Sequence, residues 1–195
     1  MSTQRIASSR LPTQHGEYRM LAYTSPFPEF PHVVLERITD AKAPVPVRIH
    51  SECMTGDVFG SVRCDCGEQL KASMAHFEEH GGLMIYLRHE GRGIGLVSKM
   101  KAYNLQDQGV DTVEANHALG FHTDERDFSP ALEILKDLDV SRIQLLTNNP
   151  EKVHAFDGTG IEVVERLPLE IKVRPENQAY LSTKANTLGH FLHQF

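Results

Sequence analysis

GLMIYLRH (residues 82–89), EGRGIG (90–95) and LVSKMKAYNLQDQ (96–108) follow one another without a gap. The first is a continuous apolar run of strand length, the pattern of a strand buried on both faces. The second, with three glycines in six residues, is a turn. The third places Leu96, Met100 and Tyr103 on one side of a helix. Immediately upstream, EQLKASMAHFEEH (68–80) carries Leu70, Met74 and Phe77 at helical spacing and ends at Gly81-Gly82. Helix, strand, turn and helix in succession mark an α/β chain. Working outward, HVVLERI (32–38), VPVRIH (45–50), RIQLLTN (142–148) and IEVVERL (161–167) read as strands. DFSPALEILKDLDV (127–140), NPEKVHAF (149–156) and QAYLSTKANTLGHFL (178–192) read as helices, the last filling the C-terminal stretch 178–195. The expectation is one α/β domain over 1–195 with a mixed sheet flanked by helices. Residues 1–31 form a polar N-terminal segment holding four of the ten prolines.

The 195 residues are 40% apolar and 24% charged, a globular composition. Lys plus Arg number 20 against 26 Asp plus Glu, a net charge of −6, which argues against a partner held by bulk positive charge such as nucleic acid. The longest good apolar run, Leu83–Leu87, is far short of a membrane span. MSTQRIASSR at the N-terminus has no apolar core of a signal peptide, so a cytoplasmic protein is expected.

All three cysteines fall in CMTGDVFGSVRCDC (53–66), spaced C-x10-C-x-C. An odd number in a cytoplasmic chain makes a poor disulfide framework. Three unrelated thiols would seldom cluster so closely, and zinc is the sharper reading. Structural zinc takes four protein ligands, whereas catalytic zinc takes three and keeps a position for water. Cys53, Cys64 and Cys66 without a fourth cysteine favour the open form. His50, three residues before Cys53, is the residue that would close it.

Three other strings carry charge where a strand gives way to a turn. Arg48-Ile49-His50-Ser51-Glu52 abuts Cys53. Glu90-Gly91-Arg92 lies in the glycine-rich turn, where backbone can approach an anion and Arg92 can grip phosphate oxygens bidentately. Thr147-Asn148-Asn149-Pro150-Glu151-Lys152 leads into a helix with Lys152 as the charge. Thr123–Asp127 is dense in charge, and on this string alone a solvated loop is the preferred reading.

HSECMTGDVFGSVRCDCGEQL, HEGRGIGL, KAYNLQDQG, DTVEANHALGF, DERDF and LLTNNPEKV, in this order over about residues 46–190, resemble GTP cyclohydrolase II. The resemblance is to the monofunctional form, since the chain has no room for a fused dihydroxybutanone phosphate synthase domain. It implies conversion of GTP to 2,5-diamino-6-ribosylamino-4(3H)-pyrimidinone 5′-phosphate, formate and pyrophosphate, the opening step of riboflavin biosynthesis. It also implies Zn²⁺ on Cys53, Cys64 and Cys66, activating water to open the imidazole ring at C8, and Mg²⁺ accompanying the triphosphate. Tyr103 matches the tyrosine near the ring. Asp124 matches the proton acceptor and Arg126 the nucleophile at the α-phosphate. A guanidinium is a poor nucleophile while protonated, so electrostatic stabilisation by Arg126 stays beside that role. Substrate binding carries over onto Arg48, Ile49, His50, Ser51, Glu52, Gln69, Glu90, Gly91, Arg92, Thr112, Thr147 and Lys152, with Glu90 as the candidate reader of the guanine N1–H and N2–H groups. A homodimer is implied. The alternatives are a paralogue that stops at the formamide intermediate and a non-catalytic nucleotide-binding protein with structural zinc.

Overall fold

The computed structural model describes residues 2–27, 29–39 and 43–194. The strands are β1 (Arg5–Thr13), β2 (Gly16–Tyr23), β3 (His32–Arg37), β4 (Val45–Ser51), β5 (Gly82–Leu87), β6 (Arg142–Leu146) and β7 (Glu162–Leu167). The helices are α1 (Met54–Asp57), α2 (Cys66–His80), α3 (Gly95–Gln106), α4 (Thr112–Ala118), α5 (Ser129–Asp137), α6 (Pro150–His154) and α7 (Gln178–Asn186). One seven-stranded sheet runs β1-β2-β3-β5-β4-β6-β7. The β1–β2, β2–β3 and β3–β5 pairs are antiparallel, and the β5–β4, β4–β6 and β6–β7 pairs are parallel, so the sheet is mixed as expected.

β4 and β5 are the central strands and are buried on both faces. Alternation then decides what each face carries. Val45, Val47 and Ile49 of β4 and Leu83, Ile85 and Leu87 of β5 join Ile134 and Leu135 of α5 in the larger core. Met84 of β5 turns to the other face, where it packs with Met74 and Phe77 of α2. Arg48 and His50 share that second face because they alternate with the apolar residues of β4, and both are buried. β4 continues through α1 and α2 into β5 on one side, and β5 returns through α3, α4 and α5 to β6 on β4's other side. The connections diverge around β4, so a crevice opens at the carboxyl ends of β4, β5 and β6, the place where open α/β sheets bind ligands.

The structure corrects the sequence reading at several points. The polar N-terminal segment holds two strands, β1 and β2, joined by a turn at Gln14-His15. The C-terminal helix stops at Asn186, and residues 187–194 continue without helix; Phe195 lies outside the described residues. α1 and α4 were not foreseen. α3 forms where expected, but it buries Lys99 and Ala102, while Val97 and Met100 are exposed.

Candidate active site

Cys53 ends the β4 loop and caps α1, and Cys64 and Cys66 enter α2. Their three sulfurs lie within 4.8 Å of one another, with Cys53 and Cys64 Sγ 3.6 Å apart. Sulfurs about 2.3 Å from a common zinc stand roughly 3.8 Å apart in a tetrahedron, so the donor set fits such an ion. Gly56 and Gly67 allow this closeness: a Cβ on Gly56 would stand 3.3 Å from both Cys53 and Cys64 Sγ, and one on Gly67 would stand 2.2 Å from Gly56 O. Among the described residues no histidine or carboxylate joins the cluster. His50 is turned elsewhere: its Nε2 meets both Asp57 oxygens at 3.0 and 3.1 Å, and its ring stacks on Tyr86. Asp57 also accepts from Cys53 N–H at 3.0 Å and Tyr86 OH at 2.8 Å, which pins the loop carrying the first cysteine.

Lys99 Nζ donates to Cys53 Sγ at 3.1 Å and to Glu90 Oε1 at 2.8 Å. Burial pulls its ammonium down, but Cys53 and Glu90 outweigh that and hold it above the usual lysine value. Hydrogen bonds from Cys64 and Cys66, aided by Lys99, push the Cys53 thiol far down; sharing those bonds and being buried push the other two up. Tyr103, one turn after Lys99, lines the same cavity. Burial pushes its phenol up, against Lys99 and a hydrogen bond to Thr55, whose hydroxyl is itself 3.6 Å from Cys53 Sγ.

The cavity spans about 1000 Å³ counting its open mouth, the upper end of the roughly 300–1,000 Å³ of small-molecule sites. It brings together the three cysteines, Tyr103, Arg48, His50, Ser51, Glu52, Gln69, Gly91, Arg92, Thr112, Arg126, Thr147 and Lys152. Three expected residues stand apart. Ile49 sends its side chain into the core and offers only its carbonyl, which accepts from Lys152 Nζ at 2.7 Å. Glu90 sits behind the wall with its carboxylate engaged. Asp124 lines a shallower neighbouring depression shared with Arg126.

Cations dominate the wall. Arg48 donates to Leu146 O at 2.9 Å and to Gln69 Oε1 at 2.6 Å, and burial lowers its pKa to about 10. Burial, with Arg48, Arg126 and Lys184 nearby, drives Lys152 well below the ordinary lysine value. Arg126 forks onto Asp124 through Nε and Nη2, and its Nη1 reaches Ser51 Oγ at 3.4 Å. Burial raises the Asp124 carboxyl, but the side-chain and backbone bonds from Arg126 prevail and leave it below the usual range. Asp124 and Arg126 thus stand as a charged pair.

Sequence reasoning missed Asp57, Lys99, Tyr180, Lys184 and His190. Two of these had a local signal: Asp57 lies four residues after Cys53, and Lys99 four before Tyr103, the spacing of helix neighbours.

Fold and site together define an α/β protein with a three-cysteine cluster able to hold a metal ion and a crevice that suits an anionic small molecule. The family model described as GTP cyclohydrolase II matches residues 4–168. The chain is 53% identical over 195 residues to GTP cyclohydrolase-2 of Hamiltonella defensa, covering 98% of each. It is 49% identical to riboflavin biosynthesis protein RibBA of Chlorobium phaeovibrioides, covering 97% of this chain and 47% of that one. With RibBA of Mycobacterium avium the identity is 51%, covering 97% and 46%. The chain therefore belongs to the GTP cyclohydrolase II family; it spans about half the length of the RibBA relatives and nearly all of the H. defensa protein.

Proposed function

We propose that the protein hydrolyses GTP to 2,5-diamino-6-ribosylamino-4(3H)-pyrimidinone 5′-phosphate, formate and pyrophosphate, the first step of riboflavin biosynthesis. The observation that carries this reading is one cavity lined both by a cysteine triad beside Tyr103 and by Arg92, Arg126 and Lys152. Cys53, Cys64 and Cys66 would hold Zn²⁺, which when bound supplies a water acidified towards pKa about 7. Tyr103 orients the guanine ring and exchanges a proton through its hydroxyl. Arg92 and Lys152 bind the triphosphate, which arrives with Mg²⁺, and Thr147 adds a hydroxyl donor. Arg126 stabilises charge on the α-phosphate: its fork on Asp124 engages Nε and Nη2 and fixes the cation in place, which favours that role over attack by its nitrogen. Glu52, which lines the cavity where the expected Glu90 does not and has one oxygen on Arg88 Nη1 at 2.9 Å, reads the guanine donors in this proposal.

We also propose a homodimer, supported by exposed Val58, Phe59, Val97 and Met100, and a cytoplasmic place of action. Among the described residues no helix is long and apolar enough to cross a membrane. Incubation with GTP and Mg²⁺, followed by mass spectrometry, tests the reaction. The expected products are the diaminopyrimidine phosphate, formate and pyrophosphate. A formamide end product would indicate the shortened reaction, and unchanged GTP a binding protein.

A further inference from the structure

The family match ends at residue 168, yet Tyr180, Lys184 and His190 line the cavity from the segment beyond it. That segment is fastened at both ends by Asn148. Its Nδ2 donates to Leu169 O at 2.8 Å, its Oδ1 accepts from Leu169 N–H at 2.9 Å, and its carbonyl accepts from Phe191 N–H at 2.8 Å. Between these ends, Lys184 Nζ donates to Asp65 Oδ1 at 2.6 Å, with only 9% and 2% of the two side chains exposed. Asp65 Oδ2 accepts from Gln69 Nε2 at 2.7 Å, and Gln69 Oε1 accepts from Arg48. A buried relay thus ties α7 to the cysteine loop and to β4. A charge pair buried this deeply holds its elements in one arrangement, because separating it strands a charge.

Tyr180 stands at the point where this fastening reaches the ligand space. Its ring centroid lies 4.6 Å from Lys184 Nζ and 5.8 Å from the Arg92 guanidinium carbon. Arg92 has φ of 61°, a left-handed conformation that a side-chain-bearing residue keeps only where its surroundings fix it. Its Nη1 is buried and has no partner among the described residues. An orphaned buried guanidinium N–H is costly, and an anionic oxygen satisfies it best.

We propose that Tyr180 is a positioning residue, whose ring face, carried by α7, holds the Arg92 guanidinium so that Nη1 receives a phosphate oxygen of the nucleotide. Residues 177–191 are then part of the substrate site and not an appended tail. This rests on the GTP reading above. The chemistry is orientation of the guanidinium by the ring, with the Tyr180 hydroxyl also close enough to favour its charge, while the Nη1 N–H stays free of a partner among the described residues for the phosphate.

The test is binding of GTP and of guanosine, measured by calorimetry on the full-length, metal-loaded protein. Tyr180→Leu should weaken GTP by roughly 3- to 30-fold, the worth of a desolvated cation–π contact. It should leave guanosine unchanged, because only the phosphates reach Arg92. Tyr180→Phe, which keeps the ring and loses only the hydroxyl, should recover part of the loss. In an Arg92→Ala background, Tyr180→Leu should add nothing. Where Tyr180→Leu loses its fold, Tyr180→Met carries the same comparison. Equal weakening of GTP and guanosine, an additive effect in the Arg92→Ala background, or unchanged GTP affinity would each overturn the proposal. Wild-type protein that binds GTP but releases no formate would defeat the proposed activity alone, since the Tyr180 comparison reads binding.

Discussion

At Glu90 both carboxylate oxygens are taken: Oε2 accepts from Met54 N–H at 2.6 Å, and Oε1 from Gly91 N–H at 2.7 Å and Lys99 Nζ at 2.8 Å. A carboxylate holding three donors organises the loop around Cys53, with only one acceptor position of Oε2 uncommitted. Glu90→Gln should therefore lower bound metal, read by metal analysis, while leaving the preference for GTP over ATP in place. Glu52→Gln should narrow that preference by about 10- to 100-fold, the worth of a hydrogen bond to a charged group; an unchanged ratio of the two turnovers would free Glu52 of this role. Tyr103→Phe removes only a hydroxyl, so formate release should fall by about 10²–10⁴-fold with little change in GTP affinity. Lys152 supplies a pH signature. Its folded pKa is depressed by burial and by Arg48, Arg126 and Lys184. A polyanion beside it favours the protonated form and raises that pKa, so binding takes up a proton. GTP affinity then falls as pH rises through the depressed value. Calorimetry in buffers of different ionisation enthalpy should show proton uptake, and Lys152→Met should abolish that component.

Among the elements, those with a one-sided or wholly apolar pattern were legible in the sequence. β4 and β5 are central and buried on both faces, so apolar runs mark them, and α2 shows its stripe in Leu70, Met74 and Phe77. β1 gave no such mark because it is an edge strand, exposed along most of its length, where even Pro12 is tolerated. α3 was found but turned the wrong way: its inner face is Lys99, Ala102, Tyr103 and Gln106, chosen for the cavity and not for a core. Hydrophobic spacing cannot report such a face. The motif strings placed most of the cavity residues, whereas Tyr180, Lys184 and His190 lie in a stretch whose spacing marks neither core nor site. One consequence sits where α1 crosses α2. Gly67→Ala would press a methyl group to 2.2 Å from the Gly56 carbonyl oxygen, a backbone atom that cannot swing aside. The helices must separate, at a cost of about 1–3 kcal/mol, and Cys64 and Cys66 move with α2. Thermal unfolding should drop, and metal content should drop with it. Normal metal content at the native melting temperature would show that the crossing has slack the structure does not display.

Across the whole molecule, the loops at the ends of three parallel strands converge on one crevice, and they bring different chemistry. The β4 loop and α2 bring the cysteines, α3 brings Tyr103, and the segments flanking α5 and β6 bring Arg126 and Lys152. If these parts serve different bonds of GTP, mutation should separate them. Cys64→Ser should remove metal and abolish formate release while leaving some pyrophosphate release, with GMP as the product. Arg126→Ala should suppress pyrophosphate release; whether formate goes with it reports which bond is broken first. Both products must be assayed on the same preparations, and folding verified for each, because a metal site can hold a fold together. Cys64 is buried beside Gly56 at the α1–α2 crossing, so that control is not a formality. Should folded Cys64→Ser release formate at the native rate, the metal plays no part in ring opening. Should it bind GTP and release neither product, the cysteine cluster governs both reactions. In that case the buried relay from Asp65 through Gln69 to Arg48, which joins the cysteine loop to the cationic wall, is the connection to break next: Gln69→Leu should uncouple the two if the relay carries the effect.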